Sequence, residues 1–526
     1  MARSDSFITE LPLIVSPADE RPLLCRLETA RQVYNACLSE SLKRLDLLRQ
    51  SKAYRAAKRL PRGKSRQLAF RDAKEAVGLR EYDLHTYAAQ FNHCWLGEHL
   101  DINTIQKLAT RAFRAVQQYG FGKRGRPRSK GRNQMDSVEG KSNVSGIRWR
   151  EPCVEWLGLK LEAIIDQNDV SIAHGLAARV KYVRLVRRKL NGRNRFYAQL
   201  VCEGRPYQKP QNQLGEGNVG LDIGPSTVAT VGEQEAFLAQ FCDELVPRHK
   251  EIRRLQRTID RQRWANNPDC YDEKGRAIKG KRPTHKSARQ RKTEARLAEL
   301  HRKQAAHRKS LHGQMVNRIL RMGDVFKLEK LSYRAFQRQF GRSVGMRAPG
   351  MFVAHLRRKA ESAGALVIEF PTRTTRLSQT CHNCGTVAKK PLSQRWHVCD
   401  CGVRAQRDLY SAFLAMCVEG DRLNAGRACE VWPGVDALLR AALGRINEPA
   451  SGGSHPASFG LPAAGRRQSR SPVASGVKVS ETQDAVPPLI RTVGELEGAY
   501  RIAGTPRPLG LGSRQYLRDV KRYNDL

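Results

Sequence analysis

The chain has 526 residues and carries 94 Lys and Arg against 51 Asp and Glu, which gives a formal net charge of +43. Its length exceeds what one hydrophobic core usually serves, so we expect two or three structural units. The charge is far beyond what solubility requires and indicates a polyanionic partner such as nucleic acid. The sequence has no apolar run near the roughly 18 residues of a spanning helix and no signal-peptide pattern. We therefore expect no membrane partner and a cytoplasmic, nucleoid-associated protein.

The N-terminal part of the chain is predicted to be a short strand followed by basic helices. The segment L-P-L-I at 11–14 suggests the strand, and apolar residues recur at helical spacing from Leu24 onward. A second helix is predicted from about Asn103, its expected N-cap. The cationic, Gly-rich segment 119–132 cannot hold a helix, and we interpret it as a linker or a phosphate-contacting loop.

Alternation of apolar and polar residues then predicts a strand-rich region. Its strongest element is a hairpin over 179–202, because Asn191 and Gly192 separate two alternating runs and favour a two-residue turn. The predicted solvent side of this hairpin carries three cations, Lys181, Arg184 and Arg187. They would suit a barrel that binds a nucleic-acid backbone, but a solvated sheet edge would carry the same residues.

Three acidic residues distinguish the C-terminal part. Basic helices there are flanked by predicted strands at 218–224, 227–232, 235–241, 325–331 and 366–370. One carboxylate lies in the first of these strands, one in the fourth, and one in the first turn of a helix predicted at 407–417: Asp222, Glu329 and Asp408. We interpret these three elements as the source of a possible acidic site.

A lone carboxylate among apolar strand residues is costly unless it meets a metal, a cation or a hydrogen-bond network. Asp222 alone could equally end a strand and cap the turn at Gly224 and Pro225. With Glu329 and Asp408 it follows the order expected of an RNase-H-like sheet, whose carboxylates can converge at one edge. Such hard oxygen ligands suit Mg²⁺, and two ions about 4 Å apart could activate water and stabilise the leaving oxygen of a phosphodiester.

Four of the 13 cysteines cluster in the sequence, whereas most of the others stand singly in apolar surroundings. The four form a C-x2-C pair and a C-x-C pair: Cys381, Cys384, Cys399 and Cys401. Thiolates at this spacing suit a closed tetrahedral Zn²⁺ site, which is structural rather than catalytic. The alternatives are reduced cysteines without metal, or a site in which His382 or His397 replaces a cysteine.

Four blocks occur in a specific order: L-D-I-G at 221–224, L-E-K-L at 328–331, S-Q-T-C-H-N-C-G at 378–385 and C-G-V-R-A-Q-R-D at 401–408. Together they resemble the RuvC motifs and inserted zinc ribbon of the TnpB family, the RNA-guided nucleases that shade into the compact type V CRISPR effectors. The resemblance is firm over about residues 215–417. It implies that Asp222, Glu329 and Asp408 are the Mg²⁺-binding catalytic triad and that the four cysteines bind zinc.

The resemblance also implies an α+β multidomain fold. In order, it predicts a first wedge strand (1–23), a helical recognition domain (24–133), a β-rich, barrel-like wedge domain (134–214), an RNase-H-like (RuvC) α/β nuclease domain (215–375), a zinc ribbon (376–404), the last nuclease helix (405–418) and a largely disordered C-terminal extension (419–526). One helix at about 435–445 is expected within that extension.

The function implied by the resemblance is RNA-guided DNA cleavage, either in CRISPR defence or in a transposon. The family binds a guide RNA, recognises a short motif flanking the double-stranded DNA target, and cuts DNA at the RuvC site. Here Tyr410 stands where the family often has Asn, and C-x-C replaces C-x2-C. One alternative is therefore an RNA-guided protein that silences DNA with little or no cleavage, and another is a guide-free RuvC-type transposase or resolvase. Arg407 either contacts the scissile phosphate or balances the charge of Asp408.

Overall fold

Two structural units divide the chain, Met1–Lys209 and Pro210–Leu526. The structure is a computed structural model and describes residues 5–246, 248–273, 275–391, 393–447 and Phe459. Both units mix helices and sheets, so the expected multidomain α and β architecture is confirmed at this level. In the described ranges, no helix is long and apolar enough to cross a membrane.

The first unit combines long helices with two antiparallel sheets. Four strands pair in the order β1-β7-β6-β2 and three in the order β3-β4-β5, and apolar residues of both sheets share one core with the first and fifth helices. The elements are β1 Ser6–Pro12, α1 Pro17–Gln50, α2 Lys52–Arg59, α3 Lys64–Ala76, α4 Glu81–Ala89, α5 Ile102–Gly120, β2 Ser137–Glu139, β3 Arg148–Arg150, β4 Cys153–Trp156, β5 Leu159–Glu162, α6 Val170–Ala177, β6 Val180–Leu190 and β7 Arg193–Glu203.

Two helix starts in this unit lie before the predicted positions, by seven residues for one helix and by two for the other. Helix α1 begins well before Leu24, because Ser16 caps it through a capping box. Helix α5 is capped by Asp101 rather than Asn103, since the Asp101 carboxylate accepts the Thr104 N–H at 3.0 Å. In both cases the polar cap, not the first apolar residue, sets the helix start.

The predicted hairpin is confirmed as β6 and β7. Asn191 and Gly192 have φ values of 50° and 80°, in the left-handed region that a type I′ turn requires. Arg187, which was expected to face solvent, is largely buried and pairs with Asp136 at 2.7 Å. This arginine therefore stabilises the sheet and does not belong to a solvated edge.

The second unit is built around a five-stranded mixed sheet in the order β10-β9-β8-β11-β12. Strands β8, β11 and β12 are parallel neighbours, and β9 is antiparallel to both β8 and β10. The elements are β8 Asn218–Ile223, β9 Thr227–Val231, β10 Ala236–Gln240, α7 His249–Asn266, α8 Ala288–Leu320, β11 Val325–Glu329, α9 Tyr333–Arg347, α10 Pro349–Ala363, β12 Leu366–Phe370, α11 Thr372–Thr375, β13 Trp396–Val398, β14 Arg404–Gln406, α12 Arg407–Met416, β15 Val418–Glu419, β16 Arg422–Leu423 and α13 Ala425–Asn447.

The two faces of this sheet follow from alternation along β8 and β11. Val219, Leu221 and Ile223 share a core with Phe326 and Leu328, and helices α8 and α10 cover that face. The intervening residues of both strands therefore point to the opposite face. Helices α12 and α13 pack there, with apolar residues of β9 and β10.

Gly220 allows α12 to lie directly on β8. A Cβ atom at this position would lie 1.9 Å from the Ala412 carbonyl oxygen and 2.4 Å from the Met416 nitrogen. Because these are backbone atoms of a packed helix, Gly220→Ala should destabilise the fold by about 2–3 kcal/mol, the upper part of the usual overpacking range. Thermal unfolding beside Gly232→Ala, whose added Cβ would meet nothing nearer than 3.5 Å, measures this effect. Equal melting temperatures for the two variants would contradict it.

The region after residue 418 begins with ordered structure. Helix α13 is longer than the predicted helix at 435–445 and contributes Val435, Leu439 and Ala442 to the core with α12. The predicted disordered tail lies outside the described residues, except for Phe459, which is buried in the same core.

Candidate active site and cysteine cluster

The three predicted carboxylates lie at one end of the five-stranded sheet. Leu221 of β8 pairs with Leu328 of β11, so Asp222 and Glu329 follow in register on the face that α12 covers. Asp408 is in the first turn of α12. All three side chains are half-buried. The fold therefore brings together three elements that are far apart in sequence.

The carboxylates are near one another without forming a single tight ligand cluster. Among the described residues, the one group of three or more candidate metal-ligand side chains is formed by four cysteines, whose ligand atoms lie within 4.8 Å of one another.

Helix α12 is held at both ends. At its N-terminus, Gln406 Oε1 accepts the Leu409 N–H at 2.8 Å. At its C-terminus, the buried Lys327 Nζ donates to the carbonyl oxygens of Met416 and Val418 at 3.0 and 2.8 Å. A cation at a helix C-terminus satisfies the last carbonyls and complements the helix dipole. These contacts fix the turn that carries the third carboxylate.

The electrostatics of the site favour cation binding. Burial raises the pKa of Asp222 well above its ordinary value, and the charges of Asp408 and Glu329 raise it further, while Arg407 opposes them. Burial alone raises the pKa of Glu329 to about 7. The pKa of Asp408 is also raised by burial, against the opposing charges of Arg395 and Arg407. Ionising all three carboxylates is unfavourable without a cation, so the oxygen donors fit divalent metal ions.

Two arginines lie at this site, and sequence reasoning found only one. The Arg407 guanidinium is hydrogen-bonded to the protein backbone: its Nη1 donates to the carbonyl oxygens of Pro391 and Gln394 at 2.9 and 3.3 Å. Arg395 is the larger favourable charge on Asp408, and its carbonyl oxygen accepts the Arg407 N–H at 2.8 Å. The pairing of β13 with β14 places Arg395 there, so a hairpin assumed around the C-x-C pair would have been the sequence signal.

The four predicted cysteines form a cluster. The Sγ atoms of Cys381 and Cys401 are 3.5 Å apart, and those of Cys384 and Cys399 are 3.4 Å apart. Zn–S bonds of about 2.3 Å in a tetrahedron separate sulfurs by roughly 3.8 Å, so the cluster fits zinc closely. A hydrogen bond with Thr386 lowers the pKa of Cys384 to about 6, which favours the thiolate that metal binding requires. A structural metal such as zinc could therefore bind here.

Neither neighbouring histidine replaces a cysteine in the cluster. His382 Nδ1 lies 2.8 Å from the Tyr410 hydroxyl, and His397 Nδ1 faces the Lys390 amine. The cluster found is therefore the four-cysteine set, and neither histidine belongs to it. Tyr410 is 1% exposed and turns towards the cysteine cluster, so it does not occupy the space between the carboxylates.

Comparison with known proteins places one segment of the second unit in a described family. Residues 350–414, from α10 into α12 and including all four cysteines, match the family described as Cas12f1-like, TNB domain. The family resemblance predicted from the sequence is confirmed, since the chain resembles the compact type V effectors. No curated protein matches the sequence.

Two solved structures are similar over most of the chain at low sequence identity. A cryo-EM structure of a Cas12f1–sgRNA–target DNA complex has 11% identity and a TM-score of 0.40, covering 78% of this chain and 98% of its own. A cryo-EM structure of a CRISPR-Cas12f ternary complex has 12% identity and a TM-score of 0.24, covering 75% of this chain and 81% of its own.

Proposed function

We propose that the protein is an RNA-guided DNA endonuclease with a two-metal RuvC-type site. The observation that carries this proposal is the placement of Asp222, Glu329 and Asp408 at one end of the sheet, each raised in pKa by its surroundings. These residues would hold Mg²⁺, which when bound would polarise the scissile phosphate and activate water. The match to a Cas12f1-like TNB domain supports the same assignment.

The sheet supports the RNase-H-like part of the proposal. If β8 is counted as the first strand of this unit, the order β10-β9-β8-β11-β12 becomes 3-2-1-4-5. The second strand, β9, is antiparallel to both of its neighbours. The carboxylates come from the first strand, the fourth strand and the helix after the fifth, as expected for this fold. The cysteine-containing segment is inserted between β12 and α12, where a zinc ribbon of a RuvC domain is expected.

Exposed cations support a polyanionic partner. On α7, basic side chains recur at spacings of four, three and four residues and form a solvent-exposed stripe: Lys250, Arg254, Arg257 and Arg261. Such a stripe follows one helix face over about 16 Å and suits successive backbone phosphates. We propose guide RNA and double-stranded target DNA as the partners, with the N-terminal wedge and recognition regions reading a short flanking motif.

The purified protein with its co-purified RNA tests this proposal directly. Sequencing that RNA identifies the guide, and a plasmid with the matching target is then incubated with Mg²⁺ or with EDTA. We expect nicked or linear plasmid only with Mg²⁺, guide and matching target together. A bound plasmid that stays intact would favour a silencing protein, and cleavage of branched DNA without RNA would favour a resolvase or transposase.

Arg395 should contribute to cleavage as well as to charge balance. Its guanidinium lies near Asp408 and could hold a phosphate oxygen during the reaction, so Arg395→Ala should slow cleavage by about 100-fold. The matched control is Arg404→Ala, an exposed arginine of β14 that packs over Trp396. Single-turnover rates at saturating protein separate this effect from DNA binding, which should change little. Equal rates for the two variants would restrict Arg395 to a structural role.

A further inference from the structure

The side chain of Tyr410 links the cysteine cluster to helix α12. The backbone N–H of His382 donates to the Tyr410 hydroxyl at 3.0 Å, and the same hydroxyl lies 2.8 Å from His382 Nδ1. The hydroxyl thus accepts a hydrogen bond from the His382 backbone and lies within hydrogen-bond distance of the His382 imidazole. His382 directly follows Cys381, so the link reaches the first cysteine pair.

The second cysteine pair rests on the same ring. The His397 imidazole stacks on Tyr410 with a centroid distance of 4.1 Å and an interplanar angle of 27°. His397 lies two residues before Cys399, on the strand that leads into the C-x-C pair. On the other side, Trp432 of α13 lies 4.7 Å from His382 and 5.7 Å from Tyr410 between ring centroids. A histidine beside each cysteine pair therefore contacts one buried tyrosine.

Tyr410 also lies two residues after Asp408 on α12. A buried ring in a close-packed core cannot move without its helix, because the surrounding side chains leave no space for independent displacement. The ring therefore connects the surroundings of the cysteines with the first turn of α12. Nothing in the family-based interpretation of Tyr410, which concerned the position of an Asn, predicts this contact.

We propose that Tyr410 is a positioning residue that couples metal occupancy of the cysteine cluster to the placement of Asp408. The inference rests on the proposed function, since it takes zinc at the cysteines and divalent ions at the carboxylates. Metal at the cysteines holds Cys381 and Cys399 in place, and with them both histidines that contact the Tyr410 side chain. Release of the metal frees these contacts and loosens the turn that carries Asp408.

Tyr410→Phe tests the inference because it keeps the ring and removes the two hydrogen bonds to His382. Competition with a colorimetric chelator measures zinc affinity, which should fall by 10- to 100-fold, the usual effect of losing a group that supports a ligand. Terbium(III) luminescence measures ion binding at the carboxylates, with Asp222→Asn as the background. Terbium affinity should fall by about 10-fold in the Tyr410→Phe variant.

If the cysteine cluster and the carboxylates are coupled, one further result is expected that a purely structural role of Tyr410 would not give. Removing zinc from the wild-type protein should weaken terbium binding, and Tyr410→Phe should then weaken it no further, because the two changes break the same connection. Tyr197→Phe, which removes a hydroxyl from the first unit, is the control and should change neither affinity.

The possible failures are distinguishable. Unchanged zinc affinity in the Tyr410→Phe variant, or independent effects of zinc removal and mutation on terbium binding, would overturn the inference and leave the proposed function standing. A wild-type protein that binds no zinc would overturn the inference alone, whereas terbium binding that is unaffected by Asp222→Asn would overturn both.

Discussion

Asp222→Ala should abolish Mg²⁺-dependent cleavage, with a loss of at least about 1,000-fold, and should leave guide-dependent binding of the target intact. Asp222 is the carboxylate on which the charges of both Glu329 and Asp408 act, so its removal takes away the central oxygen ligand of the proposed site. Target binding depends on pairing with the guide RNA and on protein contacts with the nucleic-acid backbone, and neither requires Asp222. Plasmid cleavage and gel-shift assays on the same preparation measure the two properties separately.

The matched control for this change is Asp269→Ala, because Asp269 is an exposed acid in the loop between α7 and α8. The Asp269→Ala variant should cleave DNA at the wild-type rate.

Asp222→Asn adds a measurement that needs no DNA. The wild-type carboxylates repel one another without metal, so this variant should be at least as stable in EDTA and should gain less melting temperature from Mg²⁺. Cleavage by Asp222→Ala at the wild-type rate would remove Asp222 from the catalytic machinery.

Local patterns were enough to predict the five strands of the main sheet, the helices α7, α8, α10 and α12, and the candidate ligands of the second unit. Alternation around Asp222 and Glu329 identified β8 and β11, and the parallel pairing of these strands brings the two acids into register. The spacing of the four cysteines identified their cluster before any geometry was known. These features depend on residues close in sequence, or on a strand order that the resemblance already implied.

Features that depend on pairing between distant residues were not predictable. In the sequence, Gly220 is indistinguishable from an ordinary strand glycine, and its importance depends on the contact between β8 and α12. Arg395 likewise resembles any surface cation, and its position depends on the pairing of β13 with β14. Tyr410 drew attention only as a departure from a family pattern, whereas its role depends on His382. Periodicity specifies which face of an element is buried, but it does not specify which partner covers that face.

Cys384→Ser should remove the metal from the cysteine cluster and disorder the segment between β12 and α12. Cys384 supplies one of four sulfurs within 4.8 Å of one another, and a hydroxyl is a poor replacement for a thiolate that bonds zinc. A small metal-folded segment draws its stability largely from the metal, so zinc content should fall from one ion per chain to near zero. Trypsin should then cut rapidly at the exposed Lys389 within the segment.

Loss of the segment should also abolish cleavage, because Arg395 and the contacts of Tyr410 belong to it or depend on it. The control is Cys94→Ser, an exposed cysteine of the first unit that donates only to the Phe91 carbonyl. This variant should retain zinc, resist trypsin at Lys389 and cleave normally. Elemental analysis by mass spectrometry and a timed tryptic digest provide the two measurements. Full zinc content in Cys384→Ser would mean that this sulfur is not a ligand, and an undigested segment without zinc would mean that its packing against α12 alone maintains its fold.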